Sequence, residues 1–256
     1  MRLLRRRVGG PTGRRVDEGL SLVELAVTMM IMGIVVATTA ALVIGAQRTN
    51  SQTIARLDQV ESARTAVERM SRTLRASVMP SQLLVSCTGC TEDAFIQGGD
   101  FGVQFYSNIN NPGNTVGPSR VSYEVIATAP GVGNLVQTIQ IPRSSTPDRA
   151  AGYQYCNPAV DTTPDCLSQV KRITVARNLL TTTGFPMITY YDQSGIQLLT
   201  TTGVLNSDQL PSVLSIELRV TVQQQISYRA QPTTYIQRIM LPNAQAVIRQ
   251  GEEATP

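Results

Sequence analysis

The pattern of apolar and polar residues divides the chain into an apolar segment, an amphipathic segment and a series of short alternating runs. Residues 25–46 carry no charge, and a helix of that length spans about 33 Å. Such a helix can cross the hydrocarbon core of a bilayer, so residues 20–46 are predicted to be a transmembrane helix. Residues 47–80 continue the helical pattern with one apolar stripe on an otherwise charged surface. The stripe consists of Leu57, Val60, Ala63, Val67, Met70, Leu74 and Val78.

A single helix is predicted from residue 20 to residue 79, because no proline interrupts this range, and Pro80 is predicted to end it. Its first half is apolar all round and is expected to face lipid. Its second half has one apolar face and is expected to pack on the rest of the chain. The ion pairs expected on its polar face are Glu61–Arg64 and Glu68–Arg72.

Beyond Pro80 the chain consists of short alternating runs separated by Gly, Pro, Asn and Ser, a pattern typical of antiparallel strands. The clearest run is 214–222, where Leu, Ile and Val alternate with polar residues. Hairpin loops are predicted at 130–133 and 192–195. The remaining strands are predicted at 101–106, 121–128, 135–141, 170–176, 187–191, 196–201 and 234–241. The predicted fold class is α+β: the second half of the long helix lies across an antiparallel β domain at 81–249, which is followed by a loose tail at 250–256.

Basic residues are concentrated before the apolar segment. Residues 1–19 hold six of the 22 Lys and Arg and two of the 18 Asp and Glu, which leaves 16 of each in the remainder. We interpret 1–19 as a disordered basic leader, which places the N-terminus in the cytoplasm and the domain beyond the helix outside it. Because the remainder is formally neutral, strong nucleic-acid binding is not expected. Histidine is absent from the sequence, which removes the commonest general base and the most frequent zinc ligand.

A short motif, Gly19-Leu20-Ser21-Leu22-Val23-Glu24, joins the basic leader to the apolar helix. It resembles the cleavage and methylation signature of type IV prepilins and type II secretion pseudopilins. The resemblance implies that a prepilin peptidase cuts after Gly19, removes the leader and methylates the new N-terminus at Leu20. It also implies a pilin-like fold, other pilin or pseudopilin subunits as partners, and lipid contact before assembly. Leu20 is a departure from the family, in which phenylalanine or methionine is commoner after the cut.

Glu24 is the one charged residue between Gly19 and Gln47. A carboxylate at the end of an apolar span is costly in lipid, and intramembrane ionisable groups usually have a partner. Cutting after Gly19 creates an amine four residues before Glu24. If helices pack with an axial stagger, the amine of one subunit can meet Glu24 of another and set the register, because leaving either charge unpaired is costly. The alternative is a glutamate that snorkels at the membrane edge without a role in assembly.

The order of segments after residue 67 looks like that of the minor pilin and pseudopilin J group, which implies a position at or near a filament tip. The predicted function is therefore a non-enzymatic subunit, without a cofactor, of an extracytoplasmic filament for secretion, DNA uptake, attachment or motility. One rival is an ordinary secretory signal cut after Ala46, although the apolar segment is longer than such signals require. The other rival is a signal-anchored extracellular enzyme or binding domain, which should tolerate Glu24→Leu.

The four cysteines, Cys87, Cys90, Cys156 and Cys166, all follow the apolar helix. A location beyond a membrane span favours an oxidising compartment and disulfides. Three pairings are open, and the two local bridges are favoured. The alternative is a zinc or redox site, because the Cys87–Cys90 spacing also occurs in zinc sites and in redox motifs.

Two further groups of residues have ordinary structural explanations. Asp100, Asn108, Asn110, Asn111 and Asn114 carry oxygens that suit calcium, but they lack the regular spacing of an EF-hand loop and are better explained as turn residues. The tyrosines at 153, 155, 190, 191, 228 and 235 are interpreted as half-buried sheet residues. Neither group is assigned a site.

Overall fold

The computed structural model describes residues 21–84, 87–182, 184–223 and 231–241. It divides into two compact units, Met1–Asn50 and Ser51–Pro256, and the boundary falls inside the first helix. Helix α1 comprises the 54 residues Leu22–Arg75. Two short helices follow, α2 (Pro80–Leu83) and α3 (Pro164–Ser168). The predicted α+β class is confirmed, since a long N-terminal apolar helix precedes an antiparallel sheet on which its C-terminal part packs.

Within the described residues, nine strands form one antiparallel sheet in the order β1-β2-β3-β4-β5-β8-β6-β7, with β9 paired to β8. The strands are β1 (Phe95–Gly98), β2 (Gly102–Ser107), β3 (Ser119–Ala129), β4 (Val132–Gln140), β5 (Val170–Leu180), β6 (Ile188–Tyr191), β7 (Gln197–Leu198), β8 (Ser215–Val222) and β9 (Thr233–Met240). Every predicted strand is present, although β7 has two residues instead of six. Strand β1 was not predicted, because four residues ending in glycine are too few to show an alternating pattern.

Both predicted hairpins are confirmed. In the β3–β4 hairpin Ala129 pairs with Val132, so the loop is shorter than predicted and consists of Pro130 and Gly131. Gly131 has φ 73°, a conformation that glycine adopts without steric cost. In the β6–β7 hairpin the Gly195 N–H donates to the Asp192 carbonyl at 3.1 Å, which closes the reversal.

The sheet has one buried face, and α1 covers it. Along β8, Ile216, Leu218 and Val220 are fully buried, whereas Glu217 and Arg219 between them are partly exposed. Burying a large apolar side chain contributes about 1.5–3 kcal/mol, so this alternation stabilises the packed layer. The fully buried core residues are Ala63, Ala66, Val67, Met70 and Leu74 of α1 with Phe105, Val121, Tyr123, Leu135, Ile216, Leu218, Val220, Ile239 and Leu241.

Helix α1 ends at Arg75, four residues before the predicted end, because the chain there joins the sheet. The Val78 N–H donates to the Tyr106 carbonyl at 3.0 Å, and the Ser107 hydroxyl donates to the Thr73 carbonyl at 3.0 Å. The Thr73 carbonyl also accepts from the Ala76 N–H at 3.2 Å, so the last turn of the helix and β2 share this acceptor. The prediction that Pro80 ends α1 is therefore wrong, since Pro80 instead begins α2.

Where the predicted stripe begins, the buried face of α1 also differs from the prediction. Leu57 and Val60 are 63% and 38% exposed, whereas Ala55 and Gln59 are buried. Gln59 is buried because its side chain oxygen accepts a hydrogen bond from the Thr233 hydroxyl of β9 at 3.1 Å. From Ala63 to Val78 the predicted stripe positions are buried.

The ion pairs on the polar face of α1 differ from those predicted. Arg64 pairs with Glu68 at 2.7 Å, one helical turn away. Glu61 instead accepts a hydrogen bond from the Thr65 hydroxyl at 3.3 Å. The observed pair and the predicted Glu68–Arg72 pair have the same spacing of four residues, at which side chains on a helix surface are neighbours, so Glu68 has exchanged one such partner for another.

Candidate assembly site

Glu24 lies in the first turn of α1. The Leu25 N–H donates to the Ser21 carbonyl at 3.0 Å, so Ser21 is the N-cap residue and Glu24 is the third helical residue. A carboxylate there is favoured by the positive end of the helix dipole. Among the described residues none forms a hydrogen bond or ion pair with the Glu24 side chain, which is exposed. Ser21 was not predicted to have a role, although Ser-x-x-Glu is a known signal for a helix start.

The predicted cleavage site, between Gly19 and Leu20, lies outside the described residues. The N-cap at Ser21 is the residue that follows Leu20 in the chain. Cleavage after Gly19 would therefore create an amine one residue before the helix N-cap.

The N-terminal part of α1 is uncovered along its whole length. Every side chain from Leu22 to Asn50 is exposed, including Met30 at 70% and Leu42 at 75%. An 18-residue window of α1 has a mean hydropathy of 2.4, and none of it is buried. By length and composition α1 can cross a membrane, which agrees with the predicted transmembrane helix.

The threonine hydroxyls of this uncovered part bond to the backbone of the same helix. Thr28 donates to the Leu25 carbonyl at 2.9 Å, and Thr39 donates to the Val35 carbonyl at 2.8 Å. These bonds satisfy polar groups that would be costly in lipid without a partner. The Glu24 carboxylate has no such bond among the described residues, and it lies at the N-terminal end of the uncharged stretch 25–46.

The C-terminal part of α1 is held to the sheet by buried hydrogen bonds as well as apolar contacts. The Tyr123 hydroxyl of β3 lies 2.8 Å from the Thr73 hydroxyl and accepts a hydrogen bond from the Gln137 amide of β4 at 2.7 Å. The Gln137 oxygen in turn accepts a hydrogen bond from Arg69 at 2.8 Å. A second contact joins Ser71 to Gln237 of β9 at 3.2 Å. Because each bond needs a specific partner, these contacts fix the helix on the sheet.

The environment of Tyr123 favours its neutral form. Burial raises the pKa of Tyr123 to about 12, although its hydrogen bonds to Thr73 and Gln137 and the nearby charge of Arg69 act in the opposite direction. Burial likewise raises the pKa of Tyr190, whose hydroxyl donates to the Gly99 carbonyl at 3.0 Å. Both groups stabilise the fold in their neutral forms.

The four cysteines form the two local disulfides that were favoured, Cys87–Cys90 and Cys156–Cys166. The loop of the first bridge contacts the turn at 148–152, where the Thr88 hydroxyl donates to the Arg149 carbonyl at 3.0 Å. There is no space for a side chain at Gly89, since an added Cβ would lie 2.5 Å from the Ala150 backbone. Each disulfide therefore closes a local loop, and the Thr88 hydrogen bond joins the first of these loops to the turn at 148–152.

The asparagines that were considered as calcium ligands are turn residues. The Asn111 oxygen accepts hydrogen bonds from the Val116 and Gly117 N–H groups, and Asn110 and Asn114 have φ near 55°. Asp100 is bonded elsewhere, to the Thr200 hydroxyl at 2.8 Å. Among the described residues, no group of three or more His, Cys, Asp or Glu side chains is placed to hold a metal ion.

The tyrosines named above that the structure describes contact other residues of the fold. Tyr190 is buried, and Tyr191 lies beneath the Arg238 guanidinium at 3.9 Å from the ring centre. Tyr155 donates to the Pro118 carbonyl at 2.6 Å. Tyr228 lies outside the described residues.

A small cavity of about 80 Å³ lies beside the first disulfide, lined by Pro80, Cys90, Tyr106, Gly152 and Tyr153 among others. Small-molecule sites commonly have volumes of about 300–1,000 Å³. This cavity holds about one side chain, so it does not have the size of a typical substrate pocket.

The comparisons with known proteins found no matching family, curated protein or solved structure.

Proposed function

We propose that this chain is a minor type IV pilin or type II secretion pseudopilin. In this proposal a prepilin peptidase cuts between Gly19 and Leu20, and the processed subunit helps to initiate or cap an extracytoplasmic filament. The globular domain lies outside the cytoplasm, and the chain has no enzymatic role. Membrane lipid surrounds the N-terminal helix before assembly, and other pilin or pseudopilin subunits surround it afterwards.

The observation that carries this proposal is the position of Glu24. Its carboxylate has no partner within the part of the chain that the structure describes. It lies in the first turn of an apolar helix whose side chains from Leu22 to Asn50 are all exposed. A simple membrane anchor has no need of a charge there, and its cost in lipid is a few kcal/mol. In a filament the N-terminal amine of a neighbouring subunit supplies the missing countercharge.

A second observation supports helix packing between subunits. On the part of α1 that belongs to the globular unit, Ile54 and Leu57 are 50% and 63% exposed, because the buried face there carries Ala55 and Gln59 instead. Exposed apolar residues beyond a membrane span are explained if other helices cover them in the assembled state. The rival function, a signal-anchored enzyme, gives these residues no role.

The test of this proposal is the N-terminus of the mature chain. We expect intact-mass analysis of membrane-purified protein to show a chain that begins at Leu20 and carries an N-methyl group. Gly19→Val should leave the leader attached, because the resemblance places the cut directly after this glycine. A wild-type chain that begins near Gln47 would show an ordinary secretory signal and would refute the proposal.

A further inference from the structure

We infer that the free edge of strand β9 is a docking site for an extended, uncharged strand of another protein, which pairs with β9 and continues the sheet. The edge row consists of Thr234, Ile236, Arg238 and Met240, whose backbone groups form this edge. The inference goes beyond the proposed function, because the site lies in the globular domain and involves neither the leader nor Glu24.

The backbone direction of β9 identifies this edge. The Leu241 N–H donates to the Leu214 carbonyl at 3.0 Å, which fixes the residues of β9 that bond to β8. Because bonded residues alternate along an antiparallel pair, Ile239 and Gln237 also bond to β8. The N–H and C=O groups of the edge row therefore point away from β8. Within the described residues β9 pairs with no strand other than β8, so these groups have no partner strand.

This edge lacks the features by which sheet proteins usually prevent pairing. Such features are charged side chains along the edge, prolines, β-bulges and short strands. Strand β9 has eight residues, no proline and an unbroken register with β8 from Thr233 to Met240. Its one charged residue, Arg238, is turned back across the sheet, where its guanidinium lies 3.9 Å from the Tyr191 ring centre and donates to the Ser215 hydroxyl at 3.3 Å. The edge is therefore open to strand addition.

The side chains of the edge row define the chemistry of the partner strand. Ile236 and Met240 are 52% and 67% exposed, and Thr234 is exposed and uncharged. The charge of Arg238 is held over Tyr191 of β6, two strands in from the edge. Apolar or β-branched side chains opposite Ile236 and Met240 stabilise the pair, whereas a charge there loses contact with water and gains no partner. The partner is therefore an uncharged strand with apolar residues at alternate positions.

A second copy of this chain does not fit the edge. Residues 59–71 of α1 run alongside β9, since Gln59 bonds to Thr233 and Ser71 bonds to Gln237. Two copies whose β9 edges pair antiparallel are related by a two-fold axis, which points their α1 helices in opposite directions. In the proposed function, on which this step rests, both helices enter one membrane. The occupant is therefore a strand of a different protein.

The test fuses a strand to the C-terminus of the full-length chain through a flexible Gly/Ser linker. The probe strand has the length of β9 and alternates threonine with isoleucine, and the control strand has glutamate in place of isoleucine. The linker gives an effective concentration on the order of 1 mM, so a weak contact is detected. In detergent, hydrogen exchange of the Ile236 and Arg238 amides should be about tenfold slower with the probe strand than with the control strand. The Gln237 amide, which bonds to β8, should be equally protected in both.

A variant of β9 shows whether the slowing arises at this edge. Ile236→Pro removes an N–H that points away from β8, so it costs no bond of the β8–β9 ladder. It should abolish the slowing at Arg238, whereas Ile236→Val keeps the N–H and should retain it. Near-ultraviolet circular dichroism should be unchanged in both variants. Cleavage after Gly19 should also be unchanged in Ile236→Pro, which keeps a failure of this inference distinct from a failure of the proposed function.

Three results would overturn the inference. One is equal exchange of the Ile236 and Arg238 amides with the probe and control strands. Another is slowing at Arg238 that persists in Ile236→Pro, because the strand then pairs elsewhere. The third is slow exchange of both amides in the unfused wild-type chain. If that slow exchange is independent of protein concentration, another part of the chain covers the edge, and if it appears as concentration rises, a second copy does.

Discussion

The two parts of α1 are both α-helical, but they differ in burial and in how their polar side chains are hydrogen-bonded. In Leu22–Asn50 every side chain is exposed, and the threonine hydroxyls bond to the helix itself. In residues 51–75 one face is buried, and its polar side chains bond to strands of the sheet, as Thr73 does to Tyr123. The second part therefore belongs to the fold of the globular domain, whereas no side chain of the first part is buried.

This difference indicates where each part obtains its stability. An apolar side chain in residues 51–75 is removed from water by folding. An apolar side chain in Leu22–Asn50 is not removed from water by folding, because it is exposed, and the proposed function assigns its burial to lipid or to other subunits. Identical substitutions in the two parts should consequently have different effects on the stability of the globular domain.

The largest expected effect comes from shortening a buried methionine. Met70 is fully buried, whereas Met30 is 70% exposed on the same helix. Met70→Ala should lower the free energy of unfolding of the globular domain by about 2–5 kcal/mol through the cavity it leaves. Met30→Ala should change it by less than about 0.5 kcal/mol. Urea unfolding of the full-length chain in detergent, followed by near-ultraviolet circular dichroism, measures both, and equal effects would show that the two parts are not distinct.

Alkaline pH should loosen the attachment of residues 51–75 to the sheet. The pKa of Tyr123 is raised from 10.0 to about 12 in the folded state, so the folded form holds its proton more tightly than the unfolded form. Its contribution is fully present below pH 10 and is lost as pH rises to 12, by about 3 kcal/mol at most. Unfolding measured between pH 9 and pH 12 should show this slope, and Tyr123→Phe should make it shallower. An unchanged slope in Tyr123→Phe would exclude Tyr123 as its source.

A smaller effect should come from removing one hydroxyl. Thr73→Val deprives the buried Tyr123 hydroxyl of a partner at 2.8 Å and should cost about 1–2 kcal/mol of unfolding free energy. Thr39→Val is the matched control, because the Thr39 hydroxyl bonds to the Val35 carbonyl of its own helix. We expect no measurable change in domain stability from Thr39→Val. A loss of similar size in both variants would point to the β-branched side chain rather than to the buried bond.

Much of the fold could be predicted because its periodicity is local. The alternation of β8, the Pro130-Gly131 turn and the stripe from Ala63 to Leu74 are all visible in the sequence. The burial of Gln59 in place of Val60 was not predictable, because it depends on Thr233, a residue far away in the chain. The early end of α1 has the same kind of cause, since it depends on bonds to Tyr106 and Ser107 of β2.

In the candidate site, the charged residue could be identified from the sequence, but the start of the helix that carries it could not. Glu24 could be identified from the sequence, because a single charge at the end of an apolar span needs no tertiary information. The position of Ser21 as N-cap required the structure, since the residue at which a helix begins is poorly defined by composition. The predicted partner of Glu24 belongs to another subunit.

The measurement that tests the account most directly is zero-length cross-linking of assembled subunits. Lys171 is the only lysine in the sequence, so Lys171→Arg leaves the N-terminal amine as the sole primary or N-methylated amine of the processed chain. A membrane-permeant carbodiimide should then join the Leu20 amine of one subunit to the Glu24 carboxylate of the next. We expect a ladder of dimers and larger species, with the Leu20–Glu24 bond identified by mass spectrometry. Intact assemblies that give no such ladder, or Glu24→Gln chains that give the same ladder, would contradict the account.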